Sequence, residues 1–283
     1  MRQVTARGRR VWGASGLATV LVLAVPGTWL ITRAGMSAGE QVSVVPTRTV
    51  VVTQQVTSLD VRSYGAPVRV TAGQGTHVKI IEAITFNPNN GRPPTVTDTV
   101  SGGRLTLDAP ACAVSGCGVA FTVTVPARVS VRVATAGGAV SVSGTGAANL
   151  DSDGGPVQAG QVDGPLTVST GGGALTLNGL TGPLHADTNG GALLAEGVAA
   201  ATATVGTEGG AAQLVFTTAP DAVRVDSDGG PVILSVPGGP FALTADSGGG
   251  PQQVGIATDP AASRSISVST GGGVLQIIPN AGG

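Results

Sequence analysis

Leu166-Thr167-Val168-Ser169-Thr170-Gly171-Gly172-Gly173-Ala174-Leu175-Thr176-Leu177 is the stretch that decides the fold of this chain. Apolar and polar residues alternate on both sides of a glycine group, which reads as strand, tight turn, strand, each strand with one buried face. The arrangement recurs. Gly-Gly pairs begin at Gly137, Gly154, Gly172, Gly190, Gly209, Gly229, Gly249 and Gly272, in steps of 17, 18, 18, 19, 20, 20 and 23 residues. A step of about 20 residues is the signature of a solenoid that stacks one unit on the next.

The residues flanking the pairs test that register independently. Inward positions fall six and four residues before the first glycine and three and five after it. Of these 32 positions 31 are apolar, whereas the chain's 41% hydrophobic content would give about 13 by chance. Gln252 is the exception. Five residues before the pair stands a polar side chain in every unit: Arg132, Asn149, Thr167, His185, Thr204, Arg224, Thr244 and Ser267. Two residues before it stands a hydroxyl: Thr135, Ser152, Thr170, Thr188, Thr207, Ser227, Ser247 and Thr270. By parity these hydroxyls point inward or sit at the corner, where they can satisfy backbone groups of the turn. The glycine pair is a corner device, since sharp turns between closely approaching coils need backbone angles that glycine adopts freely. It is no phosphate loop, which would occur once, before a helix, with a lysine.

The expected fold is therefore all-β: a parallel β-solenoid (single-stranded β-helix) of about eight 17–23-residue coils over residues 131–278. Residues 279–283 form a tail with little capping power, which leaves end-to-end self-association open. Between residues 55 and 130 lies a β-rich region expected to cap the other end, with strands at Leu59-Asp60-Val61, Val68-Arg69-Val70, Leu105-Thr106-Leu107 and Phe121-Thr122-Val123-Thr124-Val125-Pro126. Residues 33–54 read as a stalk.

Residues 11–32 are uncharged and mainly apolar, with Trp12 and Trp29 near the two ends. That length and pattern suit a transmembrane anchor. Arg2, Arg7, Arg9 and Arg10 precede it, which places residues 1–10 in the cytoplasm and the rest outside. A cleaved signal peptide is the competing reading; it would have a shorter apolar region and small residues where Arg33 stands. Either way the bulk of the chain is exported. Cys112 and Cys117 are the only cysteines, and in an exported chain a close pair reads as a small-loop disulfide, with free or redox-active thiols the alternative.

In these features the chain resembles the adhesin-like β-strand repeat proteins of bacterial envelopes, a family of largely unknown function related to autotransporter adhesin head domains. The resemblance covers residues 55–278 and rests on Leu59-Asp60-Val61, Thr124-Val125-Pro126 and the Ser/Thr-x-Gly-Gly units. It implies a surface-exposed parallel β-solenoid with adhesion or envelope-stress sensing as roles, and brings no catalytic residues with it.

Chemistry is sparse. Residues 131–283 hold 11 Asp and Glu against three Arg, a formal charge of −8, which disfavours nucleic acid as a partner. Asp151, Asp153, Asp226 and Asp228 are weak calcium candidates, because Ser169 and Gly171 interrupt the acidic column that such a solenoid would repeat in every coil. Glycosidase action would need paired carboxylates and aromatic platforms, but the repeats hold only Phe216 and Phe241. No cofactor is expected. The sequence points to a membrane-anchored, extracytoplasmic adhesin-like binding or structural module without catalysis, docking an unidentified surface protein or polymer. An envelope-stress sensor or scaffold acting through a membrane partner is one alternative, and a polysaccharide-acting enzyme another.

Overall fold

A computed structural model describes residues 43–44, 47–88, 92–111 and 117–280. The anchor expected at residues 11–32 and Cys112 lie outside them. Among the described residues there is no helix long and apolar enough to cross a membrane, and no cysteine is free.

Two large sheets, mostly parallel, face each other across a narrow aliphatic core. Each coil gives one strand to each sheet. Ten coils are present among the described residues, rather than the eight counted from glycine pairs. The extra two come from the expected capping region: coil 1 is Ser58–Ser63 with Val68–Gly73, and coil 2 is Arg104–Asp108 with Gly118–Pro126. Coils 3 to 6 are Ser130–Thr135 with Val140–Ser143, Ala148–Ser152 with Val157–Val162, Leu166–Thr170 with Leu175–Leu180, and Leu184–Thr188 with Leu193–Val198. Coils 7 and 8 are Thr202–Gly206 with Ala212–Phe216 and Ala222–Asp226 with Val232–Val236. Coils 9 and 10 are Ala242–Asp246 with Gln252–Val254 and Ser265–Ser269 with Leu275–Pro279.

The coils do not stack in sequence order. Coil 1 lies between coils 2 and 3, and coil 10 between coils 8 and 9. Each end is thus closed by the second coil from that end of the sequence. Coil 2 must be outermost because its strands carry antiparallel partners: Val78–Phe86 on Gly118–Pro126, and Thr97–Ser101 on Arg104–Asp108. Arg48–Val52, expected within a stalk, pairs with Val78–Phe86 as part of this cap. At the far end hydrophobicity decides. Coil 10 offers Ile266, Val268, Leu275 and Ile277 inward, each at most 2% exposed. Coil 9 offers Gln252 and Val254 at the equivalent inward positions, and Val254 is 38% exposed. Burying Gln252 in the stack would strand an unpaired amide. The sequence's one polar exception therefore marks the outermost coil.

The hydroxyl column is internal, as expected, and all eight members are buried. Up to Thr188, the hydroxyl accepts from the N–H of the second glycine of its own turn (Gly191 to Thr188 Oγ1, 3.0 Å). Ser152, Thr170 and Thr188 also donate to the carbonyl of the glycine in the preceding coil. From Thr207 onward the hydroxyl donates to the carbonyl of its own second glycine. The change follows the backbone. Glu208 and Asp228 take φ of 40° and 46°, and Gly210 and Gly230 then give their N–H to the main-chain carbonyls of Thr207 and Ser227.

The connectors hold a third inward column that alternation alone did not reveal. Val162, Leu180, Val198 and Phe216 are in register and fully buried. A bulge at Gln161, Gly179 or Gly197, each with positive φ, shifts the strand by one residue and returns an apolar side chain to the core. Thr145 occupies this column in coil 3; its hydroxyl is buried without a partner.

Candidate binding face

The first strands of the coils present two outward columns. In spatial order one runs Arg132, Asn149, Thr167, His185, Thr204, Arg224, Ser267, Thr244. The other runs Ala134, Asp151, Ser169, Asp187, Gly206, Asp226, Ser269, Asp246. Adjacent layers are ~4.8 Å apart. Carboxylates consequently occur at every second layer from Asp151 to Asp246, ~10 Å apart. Stacking in sequence order would have set Asp246 directly on Asp226; the insertion of coil 10 puts Ser269 between them.

Local contacts hold these side chains outward. Ser169 Oγ donates to Asp151 Oδ1 at 3.1 Å. His185 Nε2 lies 2.9 Å from Asp187 Oδ2, and Arg224 lies 3.8 Å from Asp226, with both pairs about half exposed. At the turn the missing side chain of Gly206 leaves a depression of about 210 Å³ lined by Asp187, Asn189, Glu208, Asp226 and Asp228, among others. Among the described residues no three His, Cys, Asp or Glu side chains converge as a metal ion would require. The calcium candidates fall into two separate pairs. Asp151 and Asp153 belong to coil 4 and its turn, Asp226 and Asp228 to coil 8, four layers or ~19 Å along the tube. His185 stands in the outward polar column, as its parity implied.

The only ionisable group with a displaced titration lies elsewhere among the described residues. Glu82, in Val78–Phe86, is 1% exposed; Arg48 reaches it at 3.5 Å and reaches Asp98, on the opposite sheet, at 3.1 Å. Burial pushes the Glu82 carboxyl above its ordinary value, Arg48 opposes the shift, and Asp98 adds to it. This network ties both sheets together at the capped end. Sequence reasoning missed it because its members lie on strands far apart in the chain; an acid at an inward position of a strand otherwise reading Val78, Ile80, Ile84 was the available signal.

No family model and no curated protein matches the sequence. Among solved structures, the chain is similar to a putative adhesin from Bacteroides fragilis NCTC 9343, with 14% identity and a TM-score of 0.47 over 87% of this chain and 100% of that one. It is also similar to a putative cell adhesion protein from Clostridium sporogenes ATCC 15579, with 10% identity and a TM-score of 0.27 over 86% of this chain and 99% of that one. At these scores the likeness carries no statement about function.

Proposed function

We propose that this protein is a membrane-anchored, extracytoplasmic adhesin-like module without catalytic activity, which binds a surface protein or polymer along the outward columns of its first-strand sheet. The observation that carries the reading is the periodic face itself. Acidic and hydroxyl side chains stand exposed at fixed intervals on a rigid support, and pair locally instead of converging on a centre. Such a ladder suits an extended partner that repeats its own groups, because many weak contacts then act together. The anchor is residues 11–32, and the Cys112–Cys117 bridge staples the loop of coil 2. The test is attachment of the full chain to intact bacterial envelope. Changing Asp151, Asp187 and Asp226 together to Asn is expected to lower attachment at least tenfold with an unchanged circular dichroism spectrum. Unaltered attachment refutes this face as the binding surface.

A further inference from the structure

Alternate layers of the outward face are recessed. In the carboxylate column Ala134, Ser169, Gly206 and Ser269 alternate with Asp151, Asp187, Asp226 and Asp246. The ridges between recesses repeat every two layers, ~10 Å. The first recess has an end wall of different chemistry. Coil 1 continues the column with Arg62, in register with Ala134, and its next outward residue is Tyr64, beside Ala136 at the corner. The result is a depression of about 160 Å³ in the layer of Ala134 and Ala136, with Arg62 and Tyr64 in the layer on one side and Asp151 and Asp153 on the other.

Three observations mark this depression as a binding site. Tyr64 is the chain's only tyrosine and stands 47% exposed, whereas Phe121, Phe216 and Phe241 are fully buried. An exposed tyrosine offers a flat apolar platform with a polar rim. Second, the side chains of Arg62, Tyr64 and Asp153 make no hydrogen bond or ion pair among the described residues, while farther along the face His185 and Arg224 engage the carboxylate of their own layer. Asp151 is held through Oδ1 by Ser169 Oγ, which orients its other oxygen without consuming it. Third, Arg62 supplies donors only and the two carboxylates acceptors only. A ligand for this recess therefore needs acceptors, donors and an apolar face within one small ring. A pyranose has all three: its hydroxyls give to the carboxylates and accept from the guanidinium, and its C–H face lies on the tyrosine. A polyanion is disfavoured by the carboxylates, and a bare cation by Arg62.

We infer that this depression is the end subsite for an uncharged β-1,4-linked pyranose polymer that lies along the tube, across the strands. The inference deepens the binding-face reading proposed above and rests on it. In an extended chain of this linkage successive rings are flipped, so every second ring presents the same edge, and two rings span about the distance between successive ridges. Equivalent rings then fall over Ala134, Ser169 and Gly206 in turn, with hydroxyls on Asp151, Asp187 and Asp226. The depression at Gly206, about 210 Å³, comes four layers from the first. The recess at Ala134 alone combines an aromatic platform with an unpaired cation, so it fixes the register of the polymer, and the later recesses add contacts that act together.

The test is calorimetric titration of the full chain in lipid nanodiscs with hexasaccharides, each long enough to reach from Ala134 to Gly206. Chain that stays in solution is titrated in buffer. Hexamers of β-1,4-linked glucose and of β-1,4-linked N-acetylglucosamine carry the shared chemistry and differ in the acetamido group. Binding of at least one is expected, at least tenfold tighter than its disaccharide, and the stronger of the two shows whether Arg62 takes an amide carbonyl or a hydroxyl. The hexamer of β-1,3-linked glucose leaves the two-layer register and is expected not to bind. Tyr64→Ala should weaken binding at least tenfold, with Tyr64→Phe close to the parent. Ala134→Gln fills the recess while keeping every polar group, and should also weaken binding at least tenfold; an unchanged circular dichroism spectrum verifies the fold of each variant. No binding of either β-1,4 hexamer, equal binding of the β-1,3 hexamer, or binding indifferent to Tyr64→Ala or Ala134→Gln overturns the proposal. Binding confined to a hexamer of unacetylated glucosamine and suppressed by salt overturns it too, since charge alone then accounts for it. Envelope attachment scored in parallel separates the two readings. Attachment that is lost with Asp151, Asp187 and Asp226 but accompanied by no glycan binding keeps the face and removes only the sugar.

Discussion

Gly190 and Gly191 stand side by side in one turn, yet alanine should affect them very differently. A Cβ on Gly191 would fall on the carbonyl oxygen of Gly173 in the coil below and 2.5 Å from Thr188 Oγ1. Both obstacles are fixed, one as main chain and the other by its bonds to Gly191 N and Gly173 O. Relief requires the two coils to part by about 1 Å at the corner, which breaks the Thr188 Oγ1 to Gly173 O bond of 3.3 Å and the Leu175 N to Ala192 O bond of 2.8 Å. Leaving two buried groups unpaired costs about 3–5 kcal/mol in total. A Cβ on Gly190 meets nothing nearer than Glu208 O at 3.8 Å, and only the positive φ of 93° resists it. That strain is about 1–2 kcal/mol, partly offset by ~0.4–1 kcal/mol from the stiffer unfolded chain. The two variants should thus differ by about 3 kcal/mol, a factor of over 100 in the local opening constant. Because repeat stacks need not unfold as one unit, the assay is native-state hydrogen exchange read by mass spectrometry over coils 5 to 7. Urea unfolding by far-UV circular dichroism gives the global value. Equal protection in the two variants, or greater loss in Gly190→Ala, would refute the account of the corner as carbonyl-on-glycine packing.

Three further outcomes follow from the same geometry. Thr145→Val places an aliphatic side chain in the Val162–Leu180–Val198 column and removes a partnerless buried hydroxyl, so it should stabilise the protein by about 1 kcal/mol, measured as a raised urea midpoint. Glu82 has a folded-state pKa above its unfolded value of 4.5, so its contribution is fully present below that value and is lost as pH rises through the folded one. Glu82→Gln keeps an acceptor for Arg48 and should gain stability over the parent as pH rises from 4 to 7; a constant difference would show that the carboxyl does not ionise in place. Ser269→Asp restores adjacent charge between Asp226 and Asp246 and should cost about 1 kcal/mol at low salt, less at 1 M salt, read from thermal midpoints at both ionic strengths.

The central coils were legible in the sequence because every level of their structure repeats: glycine corner, hydroxyl, inward aliphatics and outward polar column all keep one register. The ends were not legible by the same signal. Coil 1 makes the same corner with Ser63, Gly65 and Ala66, where Ser63 pairs in register with Thr135. Alanine is tolerated there because its Cβ faces Gly118 of coil 2, which has no side chain. Gln252 was visible as an exception, but its meaning depended on which coil is outermost, and alternation within a strand says nothing of the order in which strands stack. The third inward column was hidden by bulges, which break the period that reveals the other two. Outward parity placed the candidate face correctly. The spacing of its carboxylates depends on the insertion of coil 10, a long-range pairing that local pattern does not encode.

Because the first and last coils are tucked one rung inside their neighbours, the specialised pieces travel as closed sets: the Arg48 clamp with coils 1 and 2, and the Gln252-bearing outermost coil with coil 10. Whole rungs can be gained or lost anywhere between them without remaking either terminus, each altering the span by ~4.8 Å. Reach and recognition are then separable properties of this architecture, one set by the number of interior rungs and the other by what the tips and flanks display.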